Sequence, residues 1–256
     1  MREEISSRLG AIETEEKVKI LYACESGSRA WGFPSADSDY DVRFIYVHER
    51  DWYLAVDADE KRDVIERPIN DELDISGWDL RKALKLLRKS NPPLLEWLSS
   101  PIVYVETPDL ASKLRQAITE FYSPAASFHH YLNMARNNYR EHMKGDLIRI
   151  KKYFYILRPL LAIRWIEKDL GPVPMEFEKL VDKSVTSPEL RSAIFDLLER
   201  KKSGQELDHQ PKIPVISDYI QSEITSLQNS APPPDNPKPD IEKLNIIFRE
   251  TLKVPQ

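Results

Sequence analysis

Cysteine is almost absent from this sequence of 256 residues, since Cys24 is the only one. A single thiol excludes an internal disulfide and any metal site built from several cysteines. A chain of this length can bury the core of one large domain or two small ones without covalent staples. Stability must therefore come from ordinary side-chain packing, in a sequence that is 41% hydrophobic.

Long apolar runs are also missing. No stretch approaches the roughly 20 apolar residues that a membrane-spanning helix needs. The first five residues, MREEI, are charged where a secretory signal would be apolar. These absences predict a cytoplasmic protein with no membrane partner.

The sequence also lacks an excess of positive charge. Lys and Arg total 37 against 42 Asp and Glu, which gives a formal net charge of −5. The surface as a whole should therefore not adhere to nucleic acid, and an RNA partner needs a local basic patch. Two basic stretches could supply one, although a solvated helix face also explains each of them. They are Arg81, Lys82, Lys85, Arg88 and Lys89, and then Arg136, Arg140, Lys144, Arg149, Lys151, Lys152 and Arg158.

Hydrophobic patterning predicts a sheet in the N-terminal part. Residues 17–23 and 41–47 are rich in β-branched and aromatic side chains, and residues 70–76 have the same character around their centre. Residues 25–28 are turn formers that should end the first strand. These three strands should lie in one sheet, and a further short strand is predicted at 102–105.

The rest of the chain has helical periodicity. The apolar period becomes helical from Trp78, and residues 91–93, Asn-Pro-Pro, should stop this helix. Residues 231–239 are proline-rich and should form an extended linker. Further helices are predicted at about 109–121, 125–143, 146–168, 188–201, 213–227 and 240–252. The predicted class is α+β, with a mixed sheet and flanking helices at 1–106 and a helical domain at 107–256.

Two aspartates at the start of the second strand form the sharpest local pattern. Residues two apart in a strand face the same side, so Asp39 and Asp41 should present both carboxylates together. Such oxygen ligands suit Mg²⁺, and a bound cation would relieve their repulsion. Asp74 on the third strand is the candidate third carboxylate, with Asp71 and Asp79 as rivals.

A Gly-Ser pair precedes these aspartates. Gly27 allows the backbone to approach a ligand closely, and the Ser28 hydroxyl and nearby amides can donate to phosphate oxygens. Each part has an ordinary alternative, because a Gly-Ser pair is commonly a turn and an isolated Asp-x-Asp is commonly surface decoration. Together they predict a site for phosphate and metal.

These motifs resemble a known superfamily. Residues 25–32 (ESGSRAWG) and 38–43 (SDYDVR) are similar to the Gly-Ser and Asp-x-Asp signature of DNA polymerase beta nucleotidyltransferases. They look like a bacterial and phage branch of predicted nucleotidyltransferases, which includes proteins encoded beside RNA-repair enzymes. The resemblance extends through residues 91–96 and 151–160, and covers about 18–175.

The resemblance implies a polymerase-beta-like sheet and a two-metal nucleotidyl transfer that uses Mg²⁺, with Mn²⁺ as a substitute. Asp39 and Asp41 would bind both ions, and Asp74 would bind the ion next to the acceptor. The nucleoside triphosphate, expected to be ATP, would be held by Gly27, Ser28, Arg29, Lys151, Lys152 and Tyr155.

Several alternatives stay open at this stage. Arg29 could point to solvent or to Glu25, and Tyr155 could be a core residue beside a solvated Lys152. The expected activity is an EC 2.7.7-type transfer of a nucleoside monophosphate to a hydroxyl, with tRNA or an RNA 3′ end as the favoured acceptor. Adenylylation of a protein or an antibiotic, and a non-catalytic nucleotide-binding regulatory module, are the alternatives.

Overall fold

The computed structural model describes residues 1–69, 72–204, 209–228, 230–235, 237 and 239–253. The elements in chain order are α1 (Arg2–Glu16), β1 (Val18–Ser26), α2 (Gly27–Ala30), β2 (Tyr40–His48), α3 (Arg50–Leu54), β3 (Val64–Glu66), β4 (Leu73–Asp79), α4 (Leu80–Arg88), α5 (Pro92–Leu98), β5 (Val103–Glu106), α6 (Pro108–Phe121), α7 (Pro124–His142), β6 (Leu147–Arg149), α8 (Ile150–Glu167), α9 (Phe177–Ser184), α10 (Pro188–Lys202), β7 (His209–Pro211), α11 (Pro214–Ser226) and α12 (Glu242–Thr251). The predicted α+β class, with an N-terminal mixed sheet followed by helices, is confirmed.

The chain separates into two compact units. The first contains Met1–Ala30, Asp39–Phe121 and Pro237–Gln256, and the second contains Trp31–Ser38 and Tyr122–Asn236. The domain boundary predicted after residue 106 does not coincide with these units, because α6 and α12 both pack against α4 in the first unit.

A five-stranded mixed sheet forms the centre of the first unit, in the order β3-β4-β2-β1-β5. β2 is antiparallel to β1 and parallel to β4. The three strands predicted to share one sheet are therefore neighbours at its middle. Their inner side chains join those of α1 in one apolar core, which includes Ile5, Leu9, Val42, Phe44 and Ile75.

One predicted boundary near β4 is wrong, and one predicted helix stop has a second role. The helix predicted from Trp78 begins at Leu80, because alternating burial continues the strand through Asp79, whose side chain then caps α4 by accepting from the Arg81 amide. Asn91 does not only stop that helix: its side chain accepts from the Leu94 amide and caps α5.

The second unit is built around α8, which is buried along most of its length. The helix predicted from residue 146 begins instead at Ile150, because the three preceding residues form β6 and pair with β7. Residues 230–235, 237 and 239 of the proline-rich segment form neither helix nor strand, and Asn236 and Lys238 lie outside the described residues. Asp235 anchors the segment, because its carboxylate accepts a hydrogen bond from the Ser123 hydroxyl at 2.7 Å.

Across the residues that the structure describes, no helix is both long and apolar enough to cross a bilayer.

Gly77 offers a test of this sheet. It lies opposite Phe44 in the parallel register of β2 and β4, and a Cβ at residue 77 would overlap the Phe44 ring. Gly77→Ala should lower the free energy of unfolding by about 1–3 kcal/mol, as overpacked cores do. Denaturant titration measures this change.

Gly10→Ala is the matched control, since Gly10 lies inside α1 and a Cβ there meets only open space. It should raise the free energy of unfolding by about 0.5–1 kcal/mol, because alanine favours helices. Equal effects of the two substitutions would contradict the overlap at Gly77.

Candidate active site

The two strands at the centre of the sheet bring two of the predicted aspartates together. Asp41 of β2 and Asp74 of β4 are partners in the parallel register, so both side chains lie at the same level on neighbouring strands. Asp39 is exposed and lies two residues before Asp41. The rival Asp79 is buried and accepts hydrogen bonds from the Tyr53 hydroxyl and the Arg81 amide. The other rival, Asp71, lies outside the described residues.

A guanidinium group bridges the paired aspartates. Arg43 Nη2 donates to Asp41 Oδ1 at 3.2 Å and to Asp74 Oδ2 at 2.7 Å, while Nη1 donates to the Asp74 carbonyl at 2.9 Å. Arg43 projects from β2 two residues after Asp41, on the same face of the sheet. It therefore ties β2 to β4 where the carboxylates meet.

The charge balance of this cluster is negative. Burial raises the pKa of Asp41; the Arg43 guanidinium opposes this shift, and the carboxylates of Asp74 and Asp39 add to it. The carboxylates of Asp74 and Asp39 thus both repel that of Asp41, and one guanidinium is in direct contact with Asp41 and Asp74. Additional positive charge at this position would be stabilising.

The carboxylate oxygens of this cluster are candidate ligands for a divalent cation. Within the described ranges, no three His, Cys, Asp or Glu side chains are grouped closely enough to hold a metal ion. Arg43 nevertheless contacts only one oxygen of each paired carboxylate. Among the described residues, Asp41 Oδ2, Asp74 Oδ1 and the Asp39 carboxylate accept no hydrogen bond. These oxygen ligands and their excess negative charge fit Mg²⁺ or Mn²⁺.

The position of Asp41 requires a glycine at residue 27. Its φ of 64° is in the left-handed region, and a Cβ on it would overlap Asp41 Oδ2. The turn from β1 into α2 therefore approaches the Asp41 carboxylate too closely for a side chain at residue 27. The predicted close approach of Gly27 to a phosphate ligand stays a prediction.

Glu25 was missed as a site residue by sequence reasoning. The turn expected at residues 25–28 starts later, because Glu25 and Ser26 still pair with β2. Glu25 is fully buried; its Oε1 accepts the amide proton of Asp41 at 2.7 Å, and its Oε2 accepts from the Tyr104 hydroxyl. Burial raises the pKa of Glu25, while these two hydrogen bonds oppose the shift. Glu25 thereby fixes the backbone that carries Asp41.

Ser28 and Arg29 lie in α2, directly after Gly27. The Arg29 guanidinium stacks over the Tyr40 ring at 3.6 Å from its centroid, and its Nε donates to the Asp39 carbonyl at 3.2 Å. Arg29 therefore lies beside the aspartates rather than extending into solvent. The Ser28 hydroxyl has no hydrogen-bond partner among the described residues.

The remaining predicted residues belong to the second unit, on the first turns of α8. Lys152 Nζ lies 4.8 Å from the Tyr155 ring centroid, so the two share a helix face as predicted. Tyr155 is 37% exposed and its ring meets that of Trp31 edge-on, so it is not a core residue. Burial lowers the pKa of Lys152, and the adjacent Lys151 adds to the shift.

Comparisons with known proteins bear on the whole chain. The protein YcgL of Bacillus subtilis (strain 168) is 51% identical over 254 residues, which cover 99% of this chain and 97% of that protein. A nucleotidyltransferase-like protein from Exiguobacterium sibiricum 255-15 aligns over 87% of this chain and 76% of its own, at 13% identity and a TM-score of 0.32. A superposition this loose carries no argument about function.

A family match is more informative. The model of RlaP, the RNA repair pathway DNA polymerase beta family, matches residues 1–250. This match agrees with the resemblance of the Gly-Ser and Asp-x-Asp motifs, and it indicates a polymerase-beta-like nucleotidyltransferase. The chain belongs to the RNA repair pathway DNA polymerase beta family.

Proposed function

We propose that this protein transfers a nucleoside monophosphate from a nucleoside triphosphate, with ATP as the expected donor, to a hydroxyl group of RNA and releases pyrophosphate. The observation that carries the proposal is the pairing of Asp41 with Asp74 at one level of the sheet, with Asp39 and Gly27 beside them. The family description, an RNA repair pathway, supports RNA as the acceptor.

The three aspartates have separate roles in this proposal. Asp39 and Asp41 would hold two divalent cations, and Asp74 would hold the one nearer the acceptor. Such ions, when bound, stabilise the entering and leaving oxygens of an in-line displacement. The acceptor oxygen bonds to the α-phosphorus while the bond from that phosphorus to the bridging oxygen breaks, and Asp74 takes the hydroxyl proton. Pyrophosphate carries away the electron pair of the broken bond.

Other residues would hold and orient the nucleotide. The Ser28 hydroxyl, which has no hydrogen-bond partner among the described residues, can donate to a phosphate oxygen. Arg29 offers positive charge next to Asp39. Lys151 and Lys152 would neutralise phosphate charge, and the exposed ring of Tyr155 would stack on the base. Arg43 and Glu25 act through the aspartates and are positioning residues.

Label transfer tests the proposed reaction. Each of the four α-labelled nucleoside triphosphates is incubated with Mg²⁺ and total RNA, purified tRNA or the protein alone. Label should enter RNA with the wild type and should be lost with Asp39→Asn. Label in the protein alone would point to protein modification instead, and label in none of them would contradict nucleotide transfer to RNA.

Asp41→Asn should stabilise the protein while it removes activity. Because burial raises the pKa of Asp41, the folded protein holds that proton more tightly than the unfolded chain, and stability is lost as pH rises through the raised pKa. At neutral pH the ionised carboxylate is a cost, so Asp41→Asn should raise the metal-free Tm, by on the order of 2 °C. The gain should shrink as pH falls towards 3.8, the ordinary aspartate pKa.

Thermal melts with and without Mg²⁺ complete this test. The wild type should gain stability when Mg²⁺ is added, and Asp41→Asn should not. A metal-free Tm for Asp41→Asn several degrees below that of the wild type would contradict the electrostatic argument.

Gly27→Ala tests the close approach to Asp41. The new methyl group would displace the Asp41 carboxylate, so label transfer should fall by about a hundredfold or more, as for a misplaced catalytic group. Gly32→Ala is the control, because Gly32 also has positive φ, of 92°, but a Cβ there meets open space. Equal losses of transfer, after correction for stability, would mean that backbone strain and not Asp41 is responsible.

A further inference from the structure

A basic surface lies on the second unit, where α7 ends and α8 begins. Residues 136–152 contain six Lys and Arg against two acids, Glu141 and Asp146, in a chain whose net charge is −5. The name hairpin surface is used for the exposed or half-exposed cations around β6 and β7, two strands that are far apart in the chain and that the fold pairs in antiparallel register. These cations are Lys144, Arg149, Lys151, Lys152 and Lys212.

These cations stand on a fixed scaffold. β6 and β7 pair in antiparallel register, with Arg149 opposite His209. Ile148 points inwards and is 2% exposed, whereas Arg149 on the alternate face is exposed. Lys212 extends the contact between these two strands. Its amide donates to the Asp146 carbonyl at 3.1 Å, and its Nζ donates to the Met143 carbonyl at 2.9 Å. The position of the charges is therefore set by the fold.

The cations of the hairpin surface form no ion pairs with the described part of the chain. Among the residues that the structure describes, none of the five has a carboxylate within ion-pair distance. Glu141 contacts His142 at 3.7 Å and acts on Lys152 only at longer range. Elsewhere on the same unit, Arg164 pairs with both Glu223 and Glu167 at 2.5 Å. The hairpin surface thus concentrates like charges that an external anion would stabilise.

The chemistry of the hairpin surface favours a phosphate backbone over a lipid or protein partner. Leu147 is the large apolar side chain that the hairpin exposes, so there is little area for a membrane or a hydrophobic interface. Lys152 also lies against the exposed ring of Tyr155, and cations beside an aromatic ring are the elements of single-strand binding. The net charge of −5 disfavours binding spread over the whole surface, so a local cluster of cations is needed.

We propose that the hairpin surface binds the phosphate backbone of a single-stranded RNA, the acceptor strand, through Lys144, Arg149 and Lys212. This inference rests on the proposed function for the identity of the acceptor, but the binding itself requires no transfer. Lys151 and Lys152 lie between Arg149 and Tyr155 in the chain, so they can contact either the RNA or the nucleotide.

Fluorescence anisotropy of a labelled, unstructured single-stranded RNA tests the proposal in the absence of nucleotide. The wild-type logarithmic affinity should fall linearly with the logarithm of salt concentration. The triple variant Lys144→Gln, Arg149→Gln, Lys212→Gln should reduce that slope by about 2 and weaken binding about a hundredfold near 0.1 M salt. Thermal melts establish that the triple variant is folded.

A matched triple variant keeps the test specific to the surface. Lys85→Gln, Arg88→Gln, Lys89→Gln removes the same charge from the exposed end of α4 in the first unit and should leave RNA affinity within about twofold. Equal losses in both triple variants, or no binding by the wild type, would overturn the proposal. Tighter binding of the wild type to vesicles of anionic lipid than to RNA would also overturn it.

Failure of this inference is distinguishable from failure of the proposed function. RNA binding that depends on the hairpin surface, without any label transfer, would refute only the transfer reaction. Undiminished label transfer to RNA by the Lys144, Arg149 and Lys212 triple variant would refute only the hairpin surface. Asp39→Asn should bind RNA as the wild type does.

Discussion

Repulsion between carboxylates is the constraint on which the rest of the site depends. The parallel register of β2 and β4 places Asp41 level with Asp74, and Asp39 adds a third negative charge nearby. Arg43 offsets part of this repulsion, because its guanidinium contacts one oxygen of each paired carboxylate. The other oxygen of each accepts no hydrogen bond from the described residues. The protein thus carries an excess of negative charge that bound divalent cations would balance, and those cations would in turn attract the anionic triphosphate.

The backbone around Asp41 is organised to keep that charge in one position. Buried Glu25 accepts hydrogen bonds from the Asp41 amide and from the Tyr104 hydroxyl. Gly27 has no side chain and so leaves space for the Asp41 carboxylate. The strand before the Gly-Ser motif therefore supports the strand that carries the aspartates. Such preorganisation allows electrostatic stabilisation of a transition state without movement of the protein at the moment of reaction.

Local patterns predicted the central strands and most later helices, because alternation and periodicity are properties of neighbouring residues. The spacing of Ile5, Leu9 and Ile12 also carries the signal of α1, which was overlooked. Other features depend on residues distant in sequence. Pairing of β6 with β7 and the contact of Arg43 with Asp74 leave no local pattern, because tertiary packing decides them.

Anomalous scattering from crystals grown with Mn²⁺ and a non-hydrolysable ATP analogue tests the carboxylate site most directly. We expect Mn²⁺ bound to the carboxylate of Asp41, with Asp39 and Asp74 as further ligands, and loss of that density in Asp41→Asn. Bound nucleotide without Mn²⁺ at these aspartates would contradict this expectation.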